Sequence, residues 1–118
     1  MKTHNYKKLQ VWQESVDLAV DLYKVLQHFP TDEKFGITSQ IKRSIVSVPS
    51  NIAEGAGRHT PKQFVQFLSN ANGSACEADT QLIIANRVGF LEDEVYAEIE
   101  NRLNKIQRML YNLADKMN

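Results

Sequence analysis

The sequence is poor in the residues that build disulfides, metal sites and membrane spans. It contains one cysteine, three histidines and three prolines among 118 residues. A single cysteine cannot close an intrachain disulfide, so the protein suits a reducing compartment. No run approaches the roughly 20 apolar residues that a membrane-spanning helix needs, and the polar stretch 1–9 lacks the apolar core of a signal peptide. We therefore expect a cytoplasmic protein with no membrane partner.

An excess of charge of either sign is also missing. Lysine and arginine together number 14, aspartate and glutamate together number 14, and the formal net charge is zero. Because positive and negative charges balance, we do not expect a monomer to show strong, sequence-independent binding to nucleic acid. The length suits a single domain, 1–118, with a core of its own.

Catalytic and metal-binding patterns are absent as well. Di-metal sites in helical bundles use a glutamate followed three residues later by a histidine, and no acidic residue here has His4, His28 or His59 at that spacing. Neither Ser47 nor Ser74 has a histidine nearby in sequence to act as its base. We therefore expect no enzyme, with no catalytic residue, no metal and no cofactor.

The sequence does contain four segments in which apolar residues recur at steps of three and four, the period of an amphipathic helix. They are 9–29, 31–57, 60–89 and 92–117. The connections between them are short, and short connections place successive helices antiparallel. The sequence thus predicts an all-α protein, an antiparallel up-and-down four-helix bundle in one domain.

Residues with known end preferences predict where the first two helices begin and end. Pro30 ends the first helix, because the residue before a proline is pushed out of helical geometry. Thr31 or Asp32 is expected to cap the second helix. Gly55 and Gly57 are expected to end it.

The third helix has equally clear boundary signals. Thr60, Pro61 and Gln63 form a helix start, with a capping hydroxyl and a proline at the first position. Gly89 is expected to end the helix. Between them, Cys76 lies in a run of small residues, where we expect a buried and unreactive thiol.

The second helix carries a proline and polar residues at positions that otherwise fit the core pattern. Pro49 is expected to kink the helix by freeing the carbonyl of Ile45. Two interpretations of the polar residues are open: a buried hydrogen-bond network that satisfies the freed backbone groups, or a contact site for a ligand or partner. The residues concerned are Ser47, Pro49, Asn51, Glu54 and Gly55, with Ser74 and Glu77 on the third helix.

These residues also carry a resemblance to a known family. The run Ser-Val-Pro-Ser-Asn-Ile-Ala-Glu-Gly at 47–55 resembles the four-helix-bundle proteins encoded in intervening sequences of 23S rRNA. The resemblance extends over about 9–109, and it includes Gly57, Arg58, Phe64, Phe67, Leu68, Gly73, Ser74, Glu77, Thr80, Gln81 and Leu82. The sequence is similar also to the accessory variability proteins of diversity-generating retroelements.

The resemblance implies an up-and-down bundle that assembles with copies of itself into a ring, a pentamer. The family is mostly described as having unknown function. The second similarity implies a reverse-transcriptase partner and contact with nucleic acid.

Two surface features are candidates for contacts with partners. Lys42, Arg43, Arg58 and Lys62 form the best basic cluster, which is either a set of phosphate contacts or a solvated surface. The first helix carries an apolar arc wider than one helix seam requires, with two large aromatic side chains. Those aromatics, Trp12 and Tyr23, are either ordinary core or anchors of a subunit interface.

The leading interpretation is a non-enzymatic bundle that self-assembles and serves as a scaffold. The alternative is a nucleic-acid-binding accessory factor, which would concentrate its basic residues on one face. A more distant alternative is a small-ligand or enzymatic site near Asn51 and Glu54.

Overall fold

The computed structural model describes residues 5–117, so His4 lies outside the described residues. Four α-helices account for most of them, and no strand occurs among residues 5–117. Two short 3-10 turns, Tyr6–Lys8 and Thr31–Glu33, precede the first and second helices. The helices are α1 (Gln10–Leu26), α2 (Ile37–Ala56), α3 (Pro61–Arg87) and α4 (Asp93–Met117). The all-α prediction with four helices is confirmed.

Each helix packs against two others. α1 contacts α2 and α4, and α3 contacts α2 and α4. Residue numbers that rise along α2 fall along α3, as the paired contacts Ser44–Gln81 and Ser47–Ser74 show. This is the order that antiparallel neighbours produce. The core between the helices is aliphatic, and its largest fully buried side chains are Phe64, Leu18, Leu22, Ile41, Ile45, Ile52, Leu68, Leu82, Leu103, Ile106, Leu110 and Val48.

Both predicted boundary signals of α3 are confirmed. Thr60 Oγ1 accepts a hydrogen bond of 3.1 Å from the backbone N–H of Gln63, which is the expected cap. At the other end Gly89 has a φ of +89°, a conformation that glycine adopts without strain. This turn lets the N–H of Phe90 reach the carbonyl of Ala85 at 2.9 Å, so a helix-end carbonyl is satisfied.

Two expectations for α2 are wrong. The helix begins at Ile37, because residues 31–33 form a separate 3-10 turn and Gly36 stands at the cap position. Gly55 does not end the helix but lies buried inside it. A Cβ added at Gly55 would lie 2.7 Å from Cβ of Phe67 and 3.0 Å from Cδ1 of Phe64. This glycine therefore allows α3 to approach. The helix ends at Ala56 with Gly57 at the cap position, so the expectation for Gly57 is confirmed.

The expectation of a buried thiol is also wrong, because Cys76 is exposed. The buried stripe of α3 in this region consists of Ala71, Ala75 and Ala78. The helical period therefore turns residue 76 outward, and Nε2 of Gln107 on α4 donates to its Sγ at 3.3 Å.

Candidate functional site

A chain of hydrogen bonds joins α2 to α3 through Ser47, Asn51 and Ser74, which we call the polar seam. Oγ of Ser74 lies 2.9 Å from Oγ of Ser47. Nδ2 of Asn51 donates to Oγ of Ser47 at 2.9 Å and to its carbonyl at 2.8 Å. All three residues are half-buried, and their bonds stay within the chain. The seam therefore satisfies polar groups at a helix interface, where an unpaired group would destabilise the fold.

The two acidic residues of the motif lie outside the polar seam. Glu54 is exposed, and its Oε1 accepts a hydrogen bond of 2.9 Å from Nη2 of Arg58. The same guanidinium lies 4.7 Å from the ring centroid of Phe67. Glu77 is exposed and makes no hydrogen bond or ion pair within residues 5–117. A carboxylate in water avoids the cost of burial. Of the residues considered for a buried network, the structure therefore leaves out Glu54 and Glu77.

Pro49 is buried, and it faces the opposite side of α2 from the polar seam. There it helps to line an open groove of about 520 Å³ between α1 and α2, the apolar groove. Three of its hydrophobic side chains are substantially exposed: Val20 is 51%, Tyr23 42% and Val46 40% exposed. The complete lining is Val16, Ala19, Val20, Tyr23, Lys24, Gln27, Val46 and Pro49.

The edge of the apolar groove is cationic. Nζ of Lys42 lies 5.0 Å from the centroid of the Tyr23 ring, a cation–π contact. Lys24 lines the groove beside it and is exposed. Trp12 is not part of this surface. It is half-buried and packs edge-on against Tyr6, with ring centroids 5.3 Å apart, so the structure separates the two aromatics predicted for a subunit interface.

The four basic residues of the predicted cluster fall into two pairs. Lys42 and Arg43 lie in the first half of α2, whereas Arg58 and Lys62 flank the start of α3. At about 1.5 Å per helical residue, the part of α2 from Arg43 to its end at Ala56 alone separates the pairs by roughly 20 Å. Arg58 is also neutralised by Glu54. The structure therefore does not gather these bases into one phosphate-binding patch.

A hydroxyl and two carboxylates meet where α3 packs against α4. The hydroxyl of Tyr96 lies 2.8 Å from Oδ1 of Asp79 and 3.0 Å from Oε2 of Glu100. Partial burial and these two hydrogen bonds raise the pKa of Tyr96 above its usual value. The side chain thus stays a neutral donor at physiological pH.

The described part of the chain contains no group of three or more histidine, cysteine, aspartate or glutamate side chains placed to hold a metal ion. None of its helices is long and apolar enough to cross a membrane.

The sequence did not predict the apolar groove or the contact between Ser44 and Gln81. Oγ of Ser44 lies 2.8 Å from Oε1 of Gln81 and extends the polar contacts between α2 and α3 by one turn. Val20 and Val46 lie off the regular core steps of their helices, and this irregularity was the available signal for the groove.

Comparisons with known proteins agree on one family. A solved structure from Bacteroides thetaiotaomicron, described as a protein with unknown function from the S23 ribosomal protein family, is similar in fold with a TM-score of 0.78. It is 28% identical in sequence, and the alignment covers 88% of this chain and 97% of that one. No curated protein matches the sequence. The family model for the 23S rRNA-intervening sequence protein matches residues 7–112. Neither comparison points to an enzyme family, and the chain belongs to the 23S rRNA-intervening sequence protein family.

Proposed function

We propose that this protein is a non-enzymatic scaffold that assembles with copies of itself. Its unit is one antiparallel up-and-down four-helix bundle, with α2 bent at Pro49. The assembly is a closed ring in the cytoplasm, and five copies is the number that the family resemblance implies.

The observation that carries this proposal is the apolar groove. Exposed hydrophobic residues are common as single side chains, but a contiguous apolar surface marks an interaction site. Val20, Tyr23 and Val46 are each at least 40% exposed and border one groove. Transfer of such surface from water contributes about 25 cal/mol per Å², so its burial against another copy favours association.

A ring follows from the kind of contact available. The groove lies on one side of the bundle, between α1 and α2. A contact between this groove and a different surface of the next copy is heterologous, and heterologous contacts whose rotation closes produce rings.

The mass in solution tests the proposal. We expect light scattering to give a mass several-fold above the 13.5 kDa of one chain, stable on dilution to tens of micromolar. A monomer at that concentration would contradict the proposal and make the groove an ordinary surface depression.

A nucleic-acid-binding accessory role is the second candidate, and similarity to the accessory variability proteins would add a reverse-transcriptase partner. It is favoured by Arg43 and Lys62, which are exposed and form no ion pair within residues 5–117. A ring repeats these bases around its axis, and multivalency raises avidity. Titration of the assembled protein with structured RNA and duplex DNA should show weak, salt-sensitive binding. Undetectable binding at low salt would exclude this role.

A further inference from the structure

The apolar groove exposes hydrophobic side chains, and the chain also presents an aromatic side chain of a size to fit such a groove. Phe35 is 90% exposed, the highest value among the exposed large hydrophobic residues of the described chain. Its ring contacts the ammonium of its neighbour Lys34, with Nζ 5.5 Å from the centroid. Unlike an exposed tyrosine, a phenylalanine has no hydroxyl to bond with water. Its exposure therefore favours burial against another surface.

The backbone holds Phe35 in a defined position. It lies between the 3-10 turn Thr31–Glu33 and the start of α2. The N–H of Lys34 donates to the carbonyl of Thr31 at 3.2 Å, and the N–H of Gly36 donates to the carbonyl of Glu33 at 3.0 Å. Hydrogen bonds thus fix the residues on both sides, so little conformational entropy is lost when the ring inserts into a partner.

Phe35 does not fill the groove of its own chain. Its 90% exposure places the ring in solvent. Val46 lies nine residues after Ile37, roughly 14 Å along the axis of α2. The groove wall around Val46 is therefore far from Phe35 of the same chain.

Charge supports a second copy of this chain as that molecule. Residues 32–34, which precede Phe35, are aspartate, glutamate and lysine and carry one net negative charge, whereas the groove edge carries Lys24 and Lys42. A segment of net negative charge that meets a lysine-edged groove brings opposite charges together, which favours correct orientation and association.

We infer that Phe35 of one copy inserts into the apolar groove of a second copy, with Asp32 and Glu33 facing Lys24 and Lys42. This inference rests on the proposed self-assembly and names the residue that fills the groove. The Phe35 ring, which we call the knob, and the apolar groove are different surfaces, so each copy carries one of each.

Substitution of the knob tests the inference. Phe35→Ser should weaken association by roughly tenfold to hundredfold, the effect of losing one buried aromatic side chain, while circular dichroism keeps the helical signal. Tyr111→Ser is the matched control, because Tyr111 is also an exposed aromatic, at 72%, and lies on α4 away from the groove. Unchanged assembly of Phe35→Ser, or equal weakening by Tyr111→Ser, would overturn the inference.

A mixing experiment provides the sharper test. Phe35→Ser keeps the groove and lacks the knob, whereas Val46→Lys keeps the knob and has a charge in the groove. Each variant alone should be monomeric at a concentration where the native chain assembles. Their mixture should give a complex of about twice the 13.5 kDa of one chain, because one intact contact survives.

The outcomes separate this inference from the proposed function. A native chain that is monomeric would defeat the proposed self-assembly itself. A native chain that assembles while the two monomeric variants fail to complement each other would leave self-assembly standing and overturn the role of Phe35.

Discussion

The two sides of α2 pack differently against their neighbours, one closely and with hydrogen bonds, the other with an open apolar groove. Towards α3, the polar seam joins Ser47, Asn51 and Ser74 by hydrogen bonds of 2.8 to 2.9 Å, and Gly55 permits close contact with Phe67. Towards α1, the helices leave an open apolar groove of about 520 Å³ with Val46 40% exposed. One side is completed within the chain, and the other leaves apolar side chains exposed.

This difference explains why motif residues need not be contact residues. Polar side chains at the seam bond to one another, so they have less capacity to bind an outside molecule. The groove has few polar groups, yet its exposed apolar area favours association. On α2, Ser47 and Asn51 lie at the internal interface, whereas Val46 and Pro49 line the groove that we propose for self-association.

The largest expected effect on stability comes from adding a methyl group at a tightly packed glycine, compared with the same change at a glycine in open surroundings. Gly55→Ala should lower the free energy of unfolding by about 1–3 kcal/mol, because overpacking forces helices or side chains to shift. Gly73→Ala is the control. A Cβ at Gly73 meets no atom within 4 Å, so this change should raise helix stability by about 0.5–1 kcal/mol. Chemical denaturation at one fixed protein concentration measures both, and changes of the same sign would contradict a close contact of α3 with Gly55.

The next effect concerns the hydrogen bond at the centre of the seam. Ser47→Ala and Ser74→Ala should each lower the free energy of unfolding by about 0.5–1.5 kcal/mol. The double variant should lose less than the sum of the two, because both changes remove the same bond. Additive losses in this double-mutant cycle would show that the two hydroxyls do not act on each other.

The smallest effect is expected at the exposed acid of the motif. Glu54→Ala removes an ion pair whose partners are 55% and 43% exposed, and such surface pairs contribute at most about 1 kcal/mol. Glu54 also lies near the C-terminal end of α2, where a negative charge opposes the helix dipole. We expect a change smaller than that of Ser47→Ala. A loss of partner binding without a loss of stability would instead make Glu54 a contact residue.

The helices were predictable from the sequence, and their contacts were only partly so. Apolar periodicity and the signals at Thr60 and Gly89 placed α3 correctly, because these features act within one helix turn. Gly55 was misassigned, since a helix end and a close helix contact both favour a residue without a Cβ. Local sequence cannot distinguish those two uses.

The same limit applied to the candidate site. Asn51 and Glu54 are three residues apart, yet one bonds within the seam and the other reaches water. Their difference depends on where α2 ends and on how α3 lies against it. The groove was not predicted because it consists of side chains that remain exposed after α1 and α2 pack together. It depends on how the two helices pack and not on either helix alone.

The most direct measurement is the mass of two matched lysine variants beside the native chain. Val46→Lys places a charge in the apolar groove, and Ile84→Lys places one at an aliphatic residue of similar exposure, 49%, on α3. Light scattering should give a monomer of 13.5 kDa for Val46→Lys and the full assembly for the native chain and Ile84→Lys. A Val46→Lys variant that assembles like the native chain would contradict the claim that the groove is the self-association surface.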